Sequence, residues 1–267
     1  MTHLAWMTDI HLNFLGTTQI EDWLQQLKRE TFQALLITGD IGEADSLKDY
    51  LIRMHGRLGV PIYFVLGNHD YYRSSIANVR ANMHHLHDEH PSLIWLPIRG
   101  IVQLSERVGL IGHGSWSDGG YGDFMASPII LNDYVLIHDL CDLPRAELLG
   151  KLRELGQEAA DYIAEILPIA LEQYDQMLVA LHVPPFQESC WHDGKTPPDE
   201  DAYLPHFTCK AVGDVLLQIA DANPHKQLTV LCGHTHGTGV NDMRQNLQVI
   251  TAGAEYGKPK IARIFSL

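Results

Sequence analysis

The chain has 267 residues, 45% of them hydrophobic, enough to build a substantial core without disulfide support. Its 33 acidic and 19 basic side chains leave a net charge of −14, a sign that repels phosphate backbones and excludes a broad nucleic-acid-binding face. Four scattered cysteines, Cys141, Cys190, Cys209 and Cys232, form no CxxC pair, which fits a reducing compartment and excludes a secreted disulfide scaffold.

No run reaches the about 18 apolar residues of a membrane helix, and from the opening MTHLAWMTDIH no cleavable signal is expected. A cytoplasmic protein without a membrane partner is expected. Short apolar runs alternate with amphipathic segments, the pattern of an α/β chain. The first predicted strand, 3–8 (HLAWMT), breaks into Asp9 and His11. Residues i and i+2 of an extended segment share a face, so this carboxylate and imidazole can grip one ion. A helix over 18–30 leads to a strand at 34–38 (ALLIT), after which Gly39 lets the chain turn and Asp40 sits just beyond. A helix over 45–57 precedes the strand 62–66, and Asn68, His69 and Asp70 follow a glycine of the same kind.

A helix over 73–88 and a strand at 108–112 lead into a long loop, 113–133. The next helix covers 144–174, and Pro168 is expected to end or kink it. The strand 177–183 carries His182 at its end and opens a second long loop, 184–207, rich in proline and aromatic residues. Loops of this length in a compact domain usually serve function. A helix over 208–221 and a strand at 228–232 reach GHTH, where His234 and His236 repeat the i, i+2 arrangement. Strands at 247–251 and 260–266 follow with little helix between them, so the second half is expected to be more antiparallel than the first. With no repeat and no linker, one domain over 1–267 is expected.

Taken singly, each polar tip has an ordinary explanation. A Gly-Asp after a strand is usually a turn, an HxH is often a surface strand face, and a lone His182 would be a hydrogen-bonded core histidine. Five such tips, each directly after an apolar strand, are another matter. In open α/β sheets ligands bind outside the carboxyl ends of the strands, where these five can converge.

The order D-x-H, GD, GNHD, H and GHTH resembles the calcineurin-like metallophosphoesterase superfamily from residue 9 to 236, with every metal-ligand position of the family pattern filled. The resemblance implies an α/β fold, a four-layer αββα sandwich of two mixed β-sheets flanked by helices. It implies a first metal held by Asp9, His11, Asp40 and His236, with Asp40 bridging to a second held also by Asn68, His182 and His234. His69 matches the family's catalytic histidine. For Asp70 two readings stand: orienting His69, or stabilising its turn.

Two divalent ions roughly 3.5–4 Å apart can share a carboxylate and a bridging hydroxide and clamp the phosphoryl oxygens. Asn68 offers a neutral oxygen, limiting the negative charge gathered around an anionic nucleophile and substrate. His69 can stabilise developing charge or protonate the leaving alkoxide. The mixed nitrogen and oxygen donors suit manganese, iron or zinc foremost, and cobalt or nickel besides. The expected substrate is a small-molecule or nucleotide phosphoester, mono- versus diester being open. GNHD rather than GNHE sets the chain apart from the protein-phosphatase branch, and it lacks the GNRD form of lipid A-pathway hydrolases. A likeness to nucleases at GNHD is countered by the acidic charge, so no extended nucleic acid is expected. The competing expectation is a metal-binding scaffold or interaction module on the same fold without catalysis, against which the complete ligand set argues. Nothing in the residues specifies an oligomeric state.

Other residues draw notice. The run HHLHDEH (His84, His85, His87, His90) lacks an HExxH pattern and reads as a solvated helix end. His113 and Trp116 either line the pocket or fill their loop's own small core. Trp191, His192 and Lys195 enter the second loop close to His182; an exposed lysine is the commoner outcome for Lys195. Arg73 can meet a phosphate bidentately or form a surface ion pair. Cys232 reads as a buried structural thiol.

Overall fold

Side-chain alternation along the strands decides the layering. The computed structural model describes residues 3–192 and 194–267, so the loop 184–207 is described except at position 193. Strands β1 (His3–Met7), β2 (Ala34–Thr38), β3 (Ile62–Val65) and β4 (Leu93–Trp95) pair parallel, linked by α1 (Thr17–Leu27), α2 (Leu47–Leu58) and α3 (Ile76–Glu89). The short α4 (Leu96–Arg99) then leads to β5 (Val102–Gln103) and β6 (Val108–His113), followed by α5 (Asp133–Leu136) and α6 (Arg145–Gln173). After β7 (Gln176–Leu181) come α7 (Leu204–Phe207), α8 (Lys210–Ala222), β8 (Gln227–Cys232), β9 (Gly239–Arg244), β10 (Leu247–Thr251) and β11 (Arg263–Ser266). The first sheet has the order β11-β1-β2-β3-β4 and the second β5-β6-β7-β8-β10-β9.

Both faces of the central strands are buried, and successive residues serve different layers. Ala5 and Met7 of β1 and Leu35 and Ile37 of β2 pack on Leu24, Leu51 and Met83 of the first helical layer. Their neighbours Leu4, Trp6 and Leu36 face Leu110, Leu178, Ala180 and Leu231 of the opposite sheet. In turn Met177, Val179 and Val230 pack on Ile163 and Leu167 of α6 and Leu216 of α8. Each such aliphatic side chain, fully buried, stabilises by about 1.5–3 kcal/mol. The result is helices, sheet, sheet, helices: the expected four-layer sandwich of two mixed sheets.

Three expectations change. Strands β4, β5 and β9 had no period long enough to read; β9 alternates exposed and half-buried residues at a sheet edge. The second half is parallel at its centre, where β6, β7, β8 and β10 run side by side, and antiparallel only at the edges. Pro168 does not end α6, which continues to Gln173. Pro168 and Ala164, whose carbonyl it leaves unbonded, both lie exposed, while Leu167, Ala170 and Leu171 bury the opposite stripe. Water can satisfy the freed carbonyl, so the usual penalty for an internal proline is softened. No helix among the described residues is long and apolar enough to cross a membrane.

Candidate metal centre

Parallel pairing puts the carboxyl ends of β1, β2, β3, β7 and β8 along one edge of the sandwich, and all five polar tips lie there. The tips of β1 and β2 run on together, Asp9 N–H donating to Gly39 O and His11 N–H to Asp40 O at 3.1 and 2.9 Å. His182 joins the two sheets: its Nδ1–H donates to Thr38 O at 2.8 Å. Gly67 and Gly233 let the loops close, since a Cβ at either would overlap the carboxylate of Asp40 or Asp9 respectively.

The backbone at these tips is strained. Among the described residues eight non-glycine positions have positive φ, and five are Asp9, His11, Asp40, His234 and His236, at 49°, 41°, 52°, 67° and 57°. Each costs roughly 1–2 kcal/mol, and such outliers gather where function sets the geometry.

The side chains form two groups around Asp40. Its Oδ2 lies 3.7 Å from His11 Nε2 and its Oδ1 lies 3.5 Å from His182 Nε2. On the first side, His11 Nε2 and His236 Nε2 approach to 3.1 Å, and His236 Nε2 is 3.5 Å from Asp9 Oδ1. Asp9 also accepts the N–H of His234 on both oxygens at 3.1 Å. On the second side, Asn68 Oδ1 sits 3.0 Å from both His182 Nε2 and His234 Nδ1. The structure thus brings together all seven residues expected as ligands. Among the described residues, Asp9, His11 and His236, His11, Asp40 and His69, and Asp9, Asp40 and His182 each offer donor atoms within 4.8 Å of one another.

The protons on the second side decide what fits there. His182 spends its N–H on Thr38 O, and His234 turns Nε2–H to His206 O at 3.3 Å. The Asn68 amide donates through Nδ2 to Asp133 Oδ1 at 2.8 Å, which fixes its oxygen inward. With neutral imidazoles, three lone pairs therefore face one another with no proton between them. Burial keeps both rings neutral, holding His182 below the usual histidine range and His234 at about 3. A cation is the group that satisfies three such acceptors, and orientation of each imidazole by its other N–H is the arrangement metal-binding histidines use.

Asp40 reports the same demand. Burial, then the carboxylates of Asp9 and Asp70, push it well above the ordinary range; positive charge between the groups is what lets it ionise. For Asp9, burial acts against ionisation, but the bond with His236 and the surrounding imidazoles hold it below the ordinary range.

His69 lies over the same centre, its N–H donating to Asp40 Oδ1 at 2.9 Å and its ring stacked on Tyr72 at 4.3 Å. Burial, with His182 next in weight, lowers it to about 4. Asp70 corrects one expectation. Its carboxylate accepts from Ile41 N, Gly42 N and Gly67 N at 2.9, 3.0 and 2.9 Å, lashing two site loops together, and no bond to the His69 ring is present. The turn-stabilising role is the one the geometry supports.

A cavity of about 270 Å³ opens over the centre, bounded by Asp40, Asn68, His69, Asp133, His234 and His236, by Leu131 of the first long loop, and by the rings of Tyr72, Phe207 and Tyr256. His113 and Trp116 are not among its walls; they pack on Tyr162 and Tyr71 at 5.4 Å each, inside the core. Arg73 pairs with Glu43, Lys195 is exposed, and Cys232 is buried with its thiol toward Thr251. His84 packs its edge on Trp95 at 5.3 Å and His87 bonds Leu93 O at 3.1 Å, so that run lies along a helix surface. The sequence reading missed Asp133, Tyr72, Phe207 and Tyr256. All four reach the site from segments without periodicity; the unusual lengths of the two loops pointed toward Asp133 and Phe207, and nothing in spacing toward Tyr72 or Tyr256.

The family model described as calcineurin-like phosphoesterase matches residues 2–238. No curated protein matches the sequence. Among solved structures, a phosphopantetheinyl hydrolase from Mycobacterium tuberculosis superimposes with a TM-score of 0.61 at 14% identity, covering 94% of this chain and 89% of that one. A dimetal phosphatase from Danio rerio gives 0.57 at 13% identity over 94% and 87%, and a protein of Thermus thermophilus gives 0.53 at 13% over 94% and 89%. At these identities the likeness shows the fold.

Proposed function

The chain belongs to the calcineurin-like phosphoesterase family, hydrolases acting on phosphoesters, and from that premise we propose that it hydrolyses a small-molecule or nucleotide phosphoester at a dinuclear centre. In this reading Asp9, His11, Asp40 and His236 hold one ion, and Asp40, Asn68, His182 and His234 the other. The convergence of Asn68 Oδ1, His182 Nε2 and His234 Nδ1 without a proton between them is the observation that carries it. Asp40 suits the shared position because its two oxygens face different groups, Oδ2 toward His11 and Oδ1 toward His182. Manganese, iron and zinc are the metals this donor set favours.

Bound divalent ions would supply Lewis acidity and an activated water. The protein does the rest. His69 faces the cavity beside Asp40; neutral in the free site, its Nε2–H can hydrogen-bond the oxygen that leaves, and it acts as a full acid only once a bound phosphoryl anion raises its proton affinity. Asp133 fixes the Asn68 amide. A cavity of about 270 Å³ admits a small organic group rather than an extended polymer. One catalytic domain spanning 1–267 belongs to this reading, and the four free thiols support a reducing, cytoplasmic setting.

Metal content and turnover of phosphomonoesters and diesters, measured on the same variants, test it. His69→Ala is expected to keep two ions and lose most turnover, whereas Asp40→Ala loses metal; the reverse pattern would sink the assignment. Wild-type protein that bound fewer than two ions and hydrolysed neither ester class would instead be a scaffold.

A further inference from the structure

The cavity over the metal centre has an uneven chemistry. Its charged walls, Asp40 and Asp133, are acidic, and no lysine or arginine is among the described residues that line it. Lys195, backbone-paired with the cavity residue His192, is exposed to solvent, and three other basic side chains are engaged elsewhere. Arg73 pairs with Glu43 and Lys210 with Asp214, while Arg145 spends its guanidinium on the carbonyls of Phe124, Ser127 and Ile129. With no basic side chain in its described walls, the pocket favours one phosphoryl group over the metals and an uncharged group beside it.

Aromatic rings occupy the places that basic residues would. Phe207 packs edge-on against His234 at 5.2 Å, beside the second group of donors, and continues into Tyr203 at 5.4 Å. Tyr256 lies over His11 and His236 at 4.6 and 4.9 Å, beside the first group, and carries Phe14 at 4.5 Å. Phe14 and Tyr256 are 53% and 46% exposed, although apolar rings of that size are normally covered. Each side of the centre thus presents an aromatic ring against a donor, half-buried at Phe207 and exposed at Tyr256.

We propose that the substrate's organic group is an uncharged planar ring, such as a nucleobase, stacked on Phe207 or Tyr256, with a single phosphoryl group over the metals. This rests on the phosphoesterase reading of the same site. Ring stacking of that kind tolerates many ring identities and is worth about ten-fold or more in affinity per ring.

The test compares adenosine 5′-monophosphate with ribose 5-phosphate, together with the methyl diester of each, on metal-loaded protein. The two compounds share the 5′ leaving oxygen, and ribose 5-phosphate carries an anomeric hydroxyl where adenosine 5′-monophosphate carries the base. The proposal expects kcat/KM to favour the adenosine compound about ten-fold or more. Phe207→Leu or Tyr256→Leu, which keep apolar volume, should bring that ratio toward one through KM. Equal kcat/KM for both compounds in wild type would overturn the proposal and leave the phosphoesterase reading standing, as would a preference that neither substitution alters. Hydrolysis of none of the four would overturn both.

Discussion

Asp133 holds Asn68 by its amide: one carboxylate oxygen accepts Nδ2–H at 2.8 Å and, at the same distance, the hydroxyl of Tyr72. The next residue acts on another donor. Tyr134 OH meets His206 Nδ1 at 2.7 Å, and the carbonyl of His206 accepts from His234 Nε2 at 3.3 Å. A four-residue helix at the end of the first long loop therefore orients two of the three acceptors on the second side of the centre.

Removing this support should separate the two ions. Asp133→Ala is expected to weaken binding of the second equivalent of Mn²⁺ about 10–100-fold, leaving the first close to its wild-type affinity. Calorimetric titration measures both steps. Equal weakening of both, with unchanged secondary structure, would show that Asp133 serves the centre as a whole.

Arg145 anchors the same loop from the start of α6, donating to Phe124 O at 2.9 Å and Ser127 O at 2.6 Å. Hydrogen bonds from a charged donor are each worth about 1.5–3 kcal/mol. Arg145→Ala should lower stability by about 2–3 kcal/mol and raise amide exchange across 123–131. Exchange that rose only in α6 would show that the anchor works on the helix instead.

The legible and the hidden parts of the site differ in kind. Asp9 and His11, or His234 and His236, stand out because an apolar strand with period two stops abruptly at a polar pair. Those strands could be read because nearly every residue is buried on one face or the other. Asp133, Tyr134 and His206 sit on four-residue helices and Tyr256 on a turn, elements too short for spacing to set side-chain direction, which follows from tertiary contacts. Loop length marked two of those segments as purposeful without saying which residues turn inward. Asp70 shows the limit differently: its place beside His69 suggested a partner, but its short side chain finds three backbone amides first. The left-handed turns fall at five aspartates and histidines, residue types enriched in that region, but the enrichment is too weak to locate a turn from sequence.

Asp70 and His69, though adjacent, should separate cleanly in stability. Asp70→Ala strands three buried amides and is expected to cost about 3 kcal/mol or more, read as a fall in Tm of about 6–12 °C for a chain of this size. His69→Ala should move Tm by about two degrees at most, because it removes no buried acceptor. Thermal unfolding of the two variants side by side checks this; comparable losses would return Asp70 to a role shared with His69.

Acid should destabilise the fold through His113. Burial, with Arg80 nearby, lowers its pKa from 6.5 to about 3. Between those values the unfolded chain binds a proton that the folded chain refuses, so stability falls as pH drops below 6.5 and levels off near 3. His113→Gln, whose amide oxygen can still accept from Ser115 N–H, removes up to one proton from that slope, roughly 1.4 kcal/mol per pH unit. Urea midpoints at pH 7, 6 and 5 measure it. An unchanged slope would place the acid sensitivity elsewhere.

A titration of metal-free protein with Mn²⁺, following bound metal and hydrolysis of an aryl phosphoester in the same samples, tests the dinuclear centre most directly. Two ions per chain are predicted, with turnover rising as the second is taken up. Full turnover in the metal-free protein, or none with two ions bound, would contradict a dinuclear phosphoesterase built on Asp40.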